Sequence, residues 1–169
     1  MNRKDLLSVI NDLTPEEVAW RPAGEANSIG FILWHMARVE DAWVQRPIQG
    51  KKHLWVSDGW AVKFGMPEDQ RDMGHGYTVQ QLDAFKTPSL DLLMGYSDAV
   101  RKATLAFLET WDPVKDNRDV KAAYGTITVK DVFATLVWEL NQHGGQVAYV
   151  KGLKRGLQRP EYMGPLSLR

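Results

Sequence analysis

The chain has 169 residues, of which 44% are hydrophobic and 25% are charged, and it contains no cysteine. This length and composition are typical of one soluble globular domain covering residues 1–169. The 21 basic and 21 acidic residues give a formal net charge of zero, which argues against a nucleic-acid-binding protein. Without cysteine the chain has no disulfide, no thiolate nucleophile and no cysteine-type zinc site.

The sequence also lacks the apolar segments that direct a protein to or through a membrane. The opening residues, MNRKDLLSVINDL, contain no sustained apolar run, and no later run approaches the length of a membrane span. We therefore expect a cytoplasmic protein with neither a membrane nor a nucleic-acid partner.

Two helices are predicted in the first part of the chain. The spacing of leucine and isoleucine predicts a helix over residues 3–13, and a short turn begins at Thr14 and Pro15. A second helix starts after Ser28, whose side chain can cap it. It continues until Pro47, which we expect to end it because proline has no backbone N–H group.

A long irregular stretch, residues 47–80, follows the second helix. Its glycine and aromatic content favours a loop packed onto the helices, with one or two tryptophans available to line a pocket. Its two histidines, His53 and His75, are expected to lie at the surface or to pack in the loop rather than to act as a fourth metal ligand. A short helix begins at Thr78, and a third main helix is predicted over residues 89–109.

The last predicted helix spans residues 128–155. Thr128 followed by Asp131 approximates a capping box, in which each residue bonds the backbone N–H of the other. Gly144 and Gly145 mark a position where this helix could bend.

Little of the sequence predicts extended structure. A short strand is predicted only over residues 124–129, and residues 156–169 are expected to form an extended strap. The helical pattern as a whole predicts an all-α fold, a four-helix bundle with long crossover loops.

Counting by threes and fours along the last helix gives a buried seam: Val129, Val132, Leu136, Glu139, His143, Gln146 and Val150. Glu139 and His143 lie one turn apart on this seam, and the same count places His35 on the buried face of the second helix. A carboxylate without a partner is costly to bury. The three side chains therefore point to a shared divalent cation.

This ligand set determines what kind of metal site is expected. Two imidazoles and one carboxylate leave positions for water or substrate, which is typical of a catalytic site. Zinc, nickel and ferrous iron all suit such ligands. Gln146, three residues beyond His143, could hold a metal-bound water or orient a ligand.

The same residues also have an interpretation without a metal. Glu139 and His143 could form a contact at the helix surface, and His35 could be satisfied by a carbonyl group. Arg38, one turn beyond His35, could pair with Glu139 as a buried salt bridge or contact a substrate.

Several segments resemble the DinB-like family, named for a damage-inducible bacterial protein. NSIGFILWHMARVEDAWV resembles its second helix and ELNQHGGQVAYVKGL its last helix, while LWVSDGWAVKFGMP and LTPEEVAWRPAGEANSIG resemble a common loop and lead-in. The resemblance implies a bundle, often dimeric, with a metal held by one histidine of the second helix and a pair four residues apart on the last. Here these positions are His35, Glu139 and His143.

In many members of that family the pair is two histidines, whereas here its first residue is Glu139. The set resembles that of the mycothiol-dependent maleylpyruvate isomerase branch, which holds zinc. The resemblance implies a metal-dependent transferase or isomerase that uses a low-molecular-weight thiol on a small-molecule substrate. The alternatives are a metal-dependent hydrolase without a thiol, and a metal-free dimeric helical module for binding or stress response.

Overall fold

The computed structural model describes residues 3–122 and 125–156. Within these ranges the chain forms eight α-helices and one β-hairpin. The helices are α1 Arg3–Ile10, α2 Pro15–Ala19, α3 Ile29–Trp43, α4 Leu54–Ser57, α5 Trp60–Phe64, α6 Val79–Ala84, α7 Leu90–Leu108 and α8 Val129–Arg155. The strands are β1 Asp119–Ala122 and β2 Gly125–Thr128, which pair antiparallel.

The helix starts lie where the capping residues predict them. Ser28 accepts a hydrogen bond from the backbone of Phe31 at the start of α3, and Ser89 caps α7 in the same way. Thr128 and Asp131 form the predicted capping box of α8. The mostly helical class is confirmed, but the count of four helices is not, because short helices occupy the predicted loops.

Two local predictions are corrected. The second helix does not stop at Pro47, because its end widens into a π-helical turn, Val44–Ile48, that contains the proline. A wider turn accommodates the ring and the missing N–H of proline. The strand predicted over 124–129 is present as β2, but its partner β1 was not predicted. The expected strap over residues 156–169 lies, apart from Gly156, outside the described residues.

The core forms around α3, which packs against α7 and α8, while α1 packs on α8. Nine of its buried side chains show that all four of these helices contribute: Leu6, Ile10, Phe31, Trp34, Leu93, Tyr96, Val100, Val147 and Val150. A smaller cluster joins the hairpin to the start of α8 through Val120, Val129 and Val132. No helix in the described ranges is long and apolar enough to cross a membrane.

The seam of α8 is only partly as predicted. Val129, Val132 and Val150 are buried, but Gln146 is exposed and Val147 takes its place in the core. A straight α-helix has 3.6 residues per turn, so a count based on 3.5 drifts around its surface over many turns. The drift leaves Glu139 and His143 half-buried, at the edge of the core.

A candidate metal centre between the third and last helices

Three side chains from α3 and α8 converge on one point. Nε2 of His143 lies 2.9 Å from Oε2 of Glu139, and Nε2 of His35 lies 3.9 Å from the same oxygen. One potential ligand atom from each residue falls within 4.8 Å of the others. The helical spacing on α8 and the packing of α3 against it thus bring together the three residues that the sequence singles out.

His35 is held in one orientation by the long loop. It is buried on α3, and its Nδ1–H donates a hydrogen bond to the carbonyl oxygen of Met73. Because the proton is held at Nδ1, the lone pair of Nε2 faces Glu139. Burial lowers the pKa of His35, and the nearby His143 and His75 lower it further, so the ring is neutral at pH 7.

His143 is oriented in the same way, by a residue of its own helix. Its Nδ1–H donates to the side-chain oxygen of Gln146, 2.7 Å away. The carboxylate of Glu139 beside Nε2 raises the pKa of His143. The exposed Gln146 therefore lies outside the core but contacts the site, by orienting one of the candidate ligands.

The carboxylate oxygen at the centre of the site has no adequate partner. Oε2 of Glu139 is buried, and within the described residues no hydrogen bond of normal geometry reaches it, although His143 lies close. Contact with His143 lowers the pKa of Glu139, with smaller contributions from His35 and His75, so the group is anionic at pH 7. A buried anion facing two imidazole nitrogens fits a divalent cation.

Arg38 binds other partners than Glu139, so the alternative in which these two residues form a buried salt bridge is wrong. Its side chain is fully buried and donates to the carbonyl oxygens of Asp69 and Asp72. It also lies 3.7 Å from the carboxylate of Asp41. Its role is to hold the loop whose Met73 carbonyl orients His35.

The loop between α5 and α6 brings a further histidine to the site. The ring of His75 lies with its centroid 4.7 Å from that of His35, at 83° to it. His53, in contrast, is buried near Asp41 and Arg38 and does not belong to the group of converging ligand atoms. The approach of His75 to His35 could not be predicted from the sequence, because the loop has no periodic pattern.

A small cavity is lined in part by Glu139. It has a volume of about 30 Å³ and is lined from four helices, by residues that include Leu6, Met36, Met94 and Glu139. This volume suffices for about two water molecules or a group of similar size. Glu139 therefore belongs both to the candidate site and to the lining of this cavity, whereas neither His35 nor His143 lines it.

Comparison with known proteins identifies the family to which the chain belongs. The sequence profile of the DinB superfamily matches residues 1–147. The chain belongs to the DinB superfamily. This DinB protein is also similar to a conserved protein of Enterococcus faecalis whose crystal structure is known, with 20% identity and a TM-score of 0.76. The match covers 89% of this chain and 88% of that one, and it shows a shared fold. No curated protein sequence matches the chain.

Proposed function

We propose that this DinB protein is a metal-dependent enzyme that binds a divalent transition metal through His35, Glu139 and His143. The observation that supports the proposal is the buried Oε2 of Glu139, which faces two Nε2 atoms and lacks a hydrogen bond in the described part of the chain. Both imidazoles have their other nitrogen bound to an oxygen acceptor, as metal-ligating histidines usually do.

The chemistry of the ligands limits the choice of metal. Two neutral nitrogens and one carboxylate suit zinc, nickel and ferrous iron, while magnesium and calcium prefer oxygen ligands only. Three protein ligands leave a position for a substrate or cofactor.

We further propose that the cofactor is a low-molecular-weight thiol, and that the reaction is an S-transfer or an isomerisation of a small molecule. The chain has no cysteine, so a thiol nucleophile must come from outside. A divalent cation would supply the site with the ability to lower the pKa of such a thiol, which favours thiolate at neutral pH. The residues of the chain hold the imidazoles in place and provide the small cavity beside Glu139.

Elemental analysis tests metal binding most directly. Protein purified without a chelating tag is expected to contain, or to take up, about one equivalent of zinc, nickel or iron. His143→Ala and Glu139→Gln are expected to lose this binding, because each removes one of three ligands. Gln142→Ala is a matched control, since Gln142 is exposed on the same helix. Wild-type protein that takes up no metal would contradict the proposal.

A thiol screen tests the reaction class. Bacillithiol, mycothiol and glutathione would each be incubated with the metal-loaded protein and common electrophiles, and consumption of both reactants would be followed. Turnover that depends on one thiol and disappears in His143→Ala supports the transferase or isomerase. Turnover of an ester or amide without any thiol would favour the metal-dependent hydrolase instead.

A second candidate is a metal-free dimeric helical module. Glu139 and His143 are close enough to form an ion pair without a metal, and α8 exposes four large apolar side chains: Val137, Trp138, Tyr149 and Leu153. Sedimentation of the metal-free protein, together with the elemental analysis, separates this candidate from the enzyme. A dimer that binds no metal and loses its association in Trp138→Ser would support it.

A further inference from the structure

His75 lies beside the candidate metal centre although it comes from a different part of the chain. Its ring meets the ring of His35 edge-on at 83°, with centroids 4.7 Å apart. The ring of His143 meets His35 at the same angle, with centroids 4.9 Å apart. The two rings thus lie at similar distances from His35 and at the same angle to it, but only His143 belongs to the three-residue ligand set.

The loop around His75 is fixed on its N-terminal side. Gly74 has φ +86°, and a Cβ there would lie 2.7 Å from the ring of Phe31 and 2.8 Å from that of Trp34, so only glycine fits. Asp72 accepts a hydrogen bond from the Gly74 N–H, and the Met73 carbonyl accepts one from His35. These contacts place the backbone of residue 75 against the metal centre.

His75 itself remains able to turn. Its side chain is exposed, and the next residue, Gly76, has φ +68° with open space where a Cβ would lie. The ring nitrogens of His75 are outside the group of ligand atoms that lie within 4.8 Å of one another. Reaching the cation therefore requires rotation of the side chain, which the open surroundings allow.

We propose that His75 is a fourth, displaceable protein ligand of the metal bound by His35, Glu139 and His143. This inference rests on the proposed metal site. With three nitrogens and one oxygen the coordination would be complete and tetrahedral, as in a closed site. Because His75 comes from an exposed loop, a substrate or cofactor can take its place without disturbing the other three ligands. The loop would thereby control access to the metal.

Substitution of His75 by cysteine, with cobalt(II) as the probe, tests this directly. The chain contains no cysteine, so in a thiol-free buffer a sulfur-to-cobalt charge-transfer band in the near ultraviolet can come only from the introduced thiol. We expect His75→Cys to show this band at one equivalent of cobalt. Glu68→Cys, at an exposed position of the same loop, is the matched control and is expected to show none.

Removal of the imidazole provides a second measurement. His75→Ala is expected to keep one zinc site but to bind zinc about 10- to 100-fold more weakly in competition with a chelator. Loss of a residue that only orients a metal ligand weakens metal binding by about this factor, and loss of a ligand should weaken it at least as much. The visible cobalt spectrum is expected to change in intensity, because one nitrogen is replaced by water. Neither measurement depends on enzymatic activity.

The outcomes separate this inference from the proposed function. Stoichiometric metal binding that disappears in His143→Ala, with His75→Ala unchanged in zinc affinity and His75→Cys without a charge-transfer band, would overturn the fourth ligand and leave the metal site intact. Wild-type protein that binds no metal would overturn both. A charge-transfer band in His75→Cys together with weaker zinc binding in His75→Ala would support the fourth ligand.

Discussion

Two polar clusters lie on neighbouring turns of α3, and they differ in how well their atoms are paired. In the first, Asp41 accepts hydrogen bonds from the backbone of Leu54 and Trp55, both at 2.9 Å, and from the hydroxyl of Tyr96 at 2.7 Å. Arg38 lies 3.7 Å from the same carboxylate. In the second, Oε2 of Glu139 is buried without a hydrogen bond from any described residue.

This difference separates a structural cluster from a candidate site. The guanidinium of Arg38 and the carboxylate of Asp41 are fully buried, and their partners hold α4 and the following loop to the core. A buried charge that is fully hydrogen-bonded needs no ligand, whereas a buried carboxylate oxygen without a hydrogen bond can be satisfied by a cation. Both clusters contain an acid, so the unpaired carboxylate oxygen of Glu139, rather than residue type, distinguishes the candidate metal centre from the Arg38–Asp41 cluster.

The largest expected effect comes from breaking the paired cluster. Arg38→Met is expected to lower the free energy of unfolding by about 3–5 kcal/mol, because it leaves Asp41 buried without its cation. Urea denaturation of the metal-free protein measures this change. Arg71→Met, at an exposed position of the same loop, should cost far less. Equal losses in the two variants would refute a special role for Arg38.

Gly74 follows the two loop residues whose carbonyl oxygens bind Arg38 in one cluster and His35 in the other. Its substitution therefore tests whether the loop conformation supports both clusters. Gly74→Ala is expected to destabilise the protein by about 1–3 kcal/mol, because the added Cβ meets two aromatic rings at a positive φ. It should also weaken metal binding, since the neighbouring Met73 carbonyl orients His35. Gly24→Ala, where a Cβ would meet nothing, is the control. Thermal unfolding and zinc titration together measure both effects.

At the candidate site, removal of an orienting residue should affect metal binding but leave the stability of the metal-free protein unchanged. Gln146→Ala is expected to weaken zinc binding by about 10- to 100-fold, because His143 loses the acceptor for its Nδ1–H. The exposed Gln142→Ala should bind zinc like the wild type. Unchanged affinity in Gln146→Ala would mean that the hydrogen bond does not orient the ligand.

The smallest effect is expected from an ion-pair cluster at the surface. Arg155 binds Asp12 and Glu17 and lowers the pKa of Glu17 to about 2, and Lys151 together with Arg155 lowers the pKa of Asp12 to about 2. Lowered pKa values give stability that is present above about pH 4.5 and is lost as the pH falls toward 2.

Because water screens this cluster, Arg155→Met should cost no more than about 1 kcal/mol at pH 7, and only a small part of that cost should remain at pH 2, where the two carboxylates are half protonated. The difference in unfolding free energy between wild type and variant, followed from pH 7 to pH 2, checks this. A difference that does not change with pH would mean that the packing of Arg155, rather than its charge, is responsible.

The sequence by itself determined the main helices and the three candidate ligands that converge. Capping residues such as Ser28 and Thr128 bond backbone groups within one helical turn, so the helix starts can be predicted without knowledge of the rest of the fold. The helical period places Glu139 and His143 on one face for the same local reason.

Tertiary structure alone decided the partners that orient those ligands. The Met73 carbonyl on His35, the guanidinium of Arg38 on the loop and the approach of His75 all depend on the path of a segment without periodicity. The drift of α8, which exposes Gln146 and buries Val147, depends on accumulated rotation over a long helix. The helical repeat is a local property, so the face on which a residue lies can be counted from the sequence. Contacts between segments that are distant in the sequence form only when the chain packs, so they cannot be counted in this way.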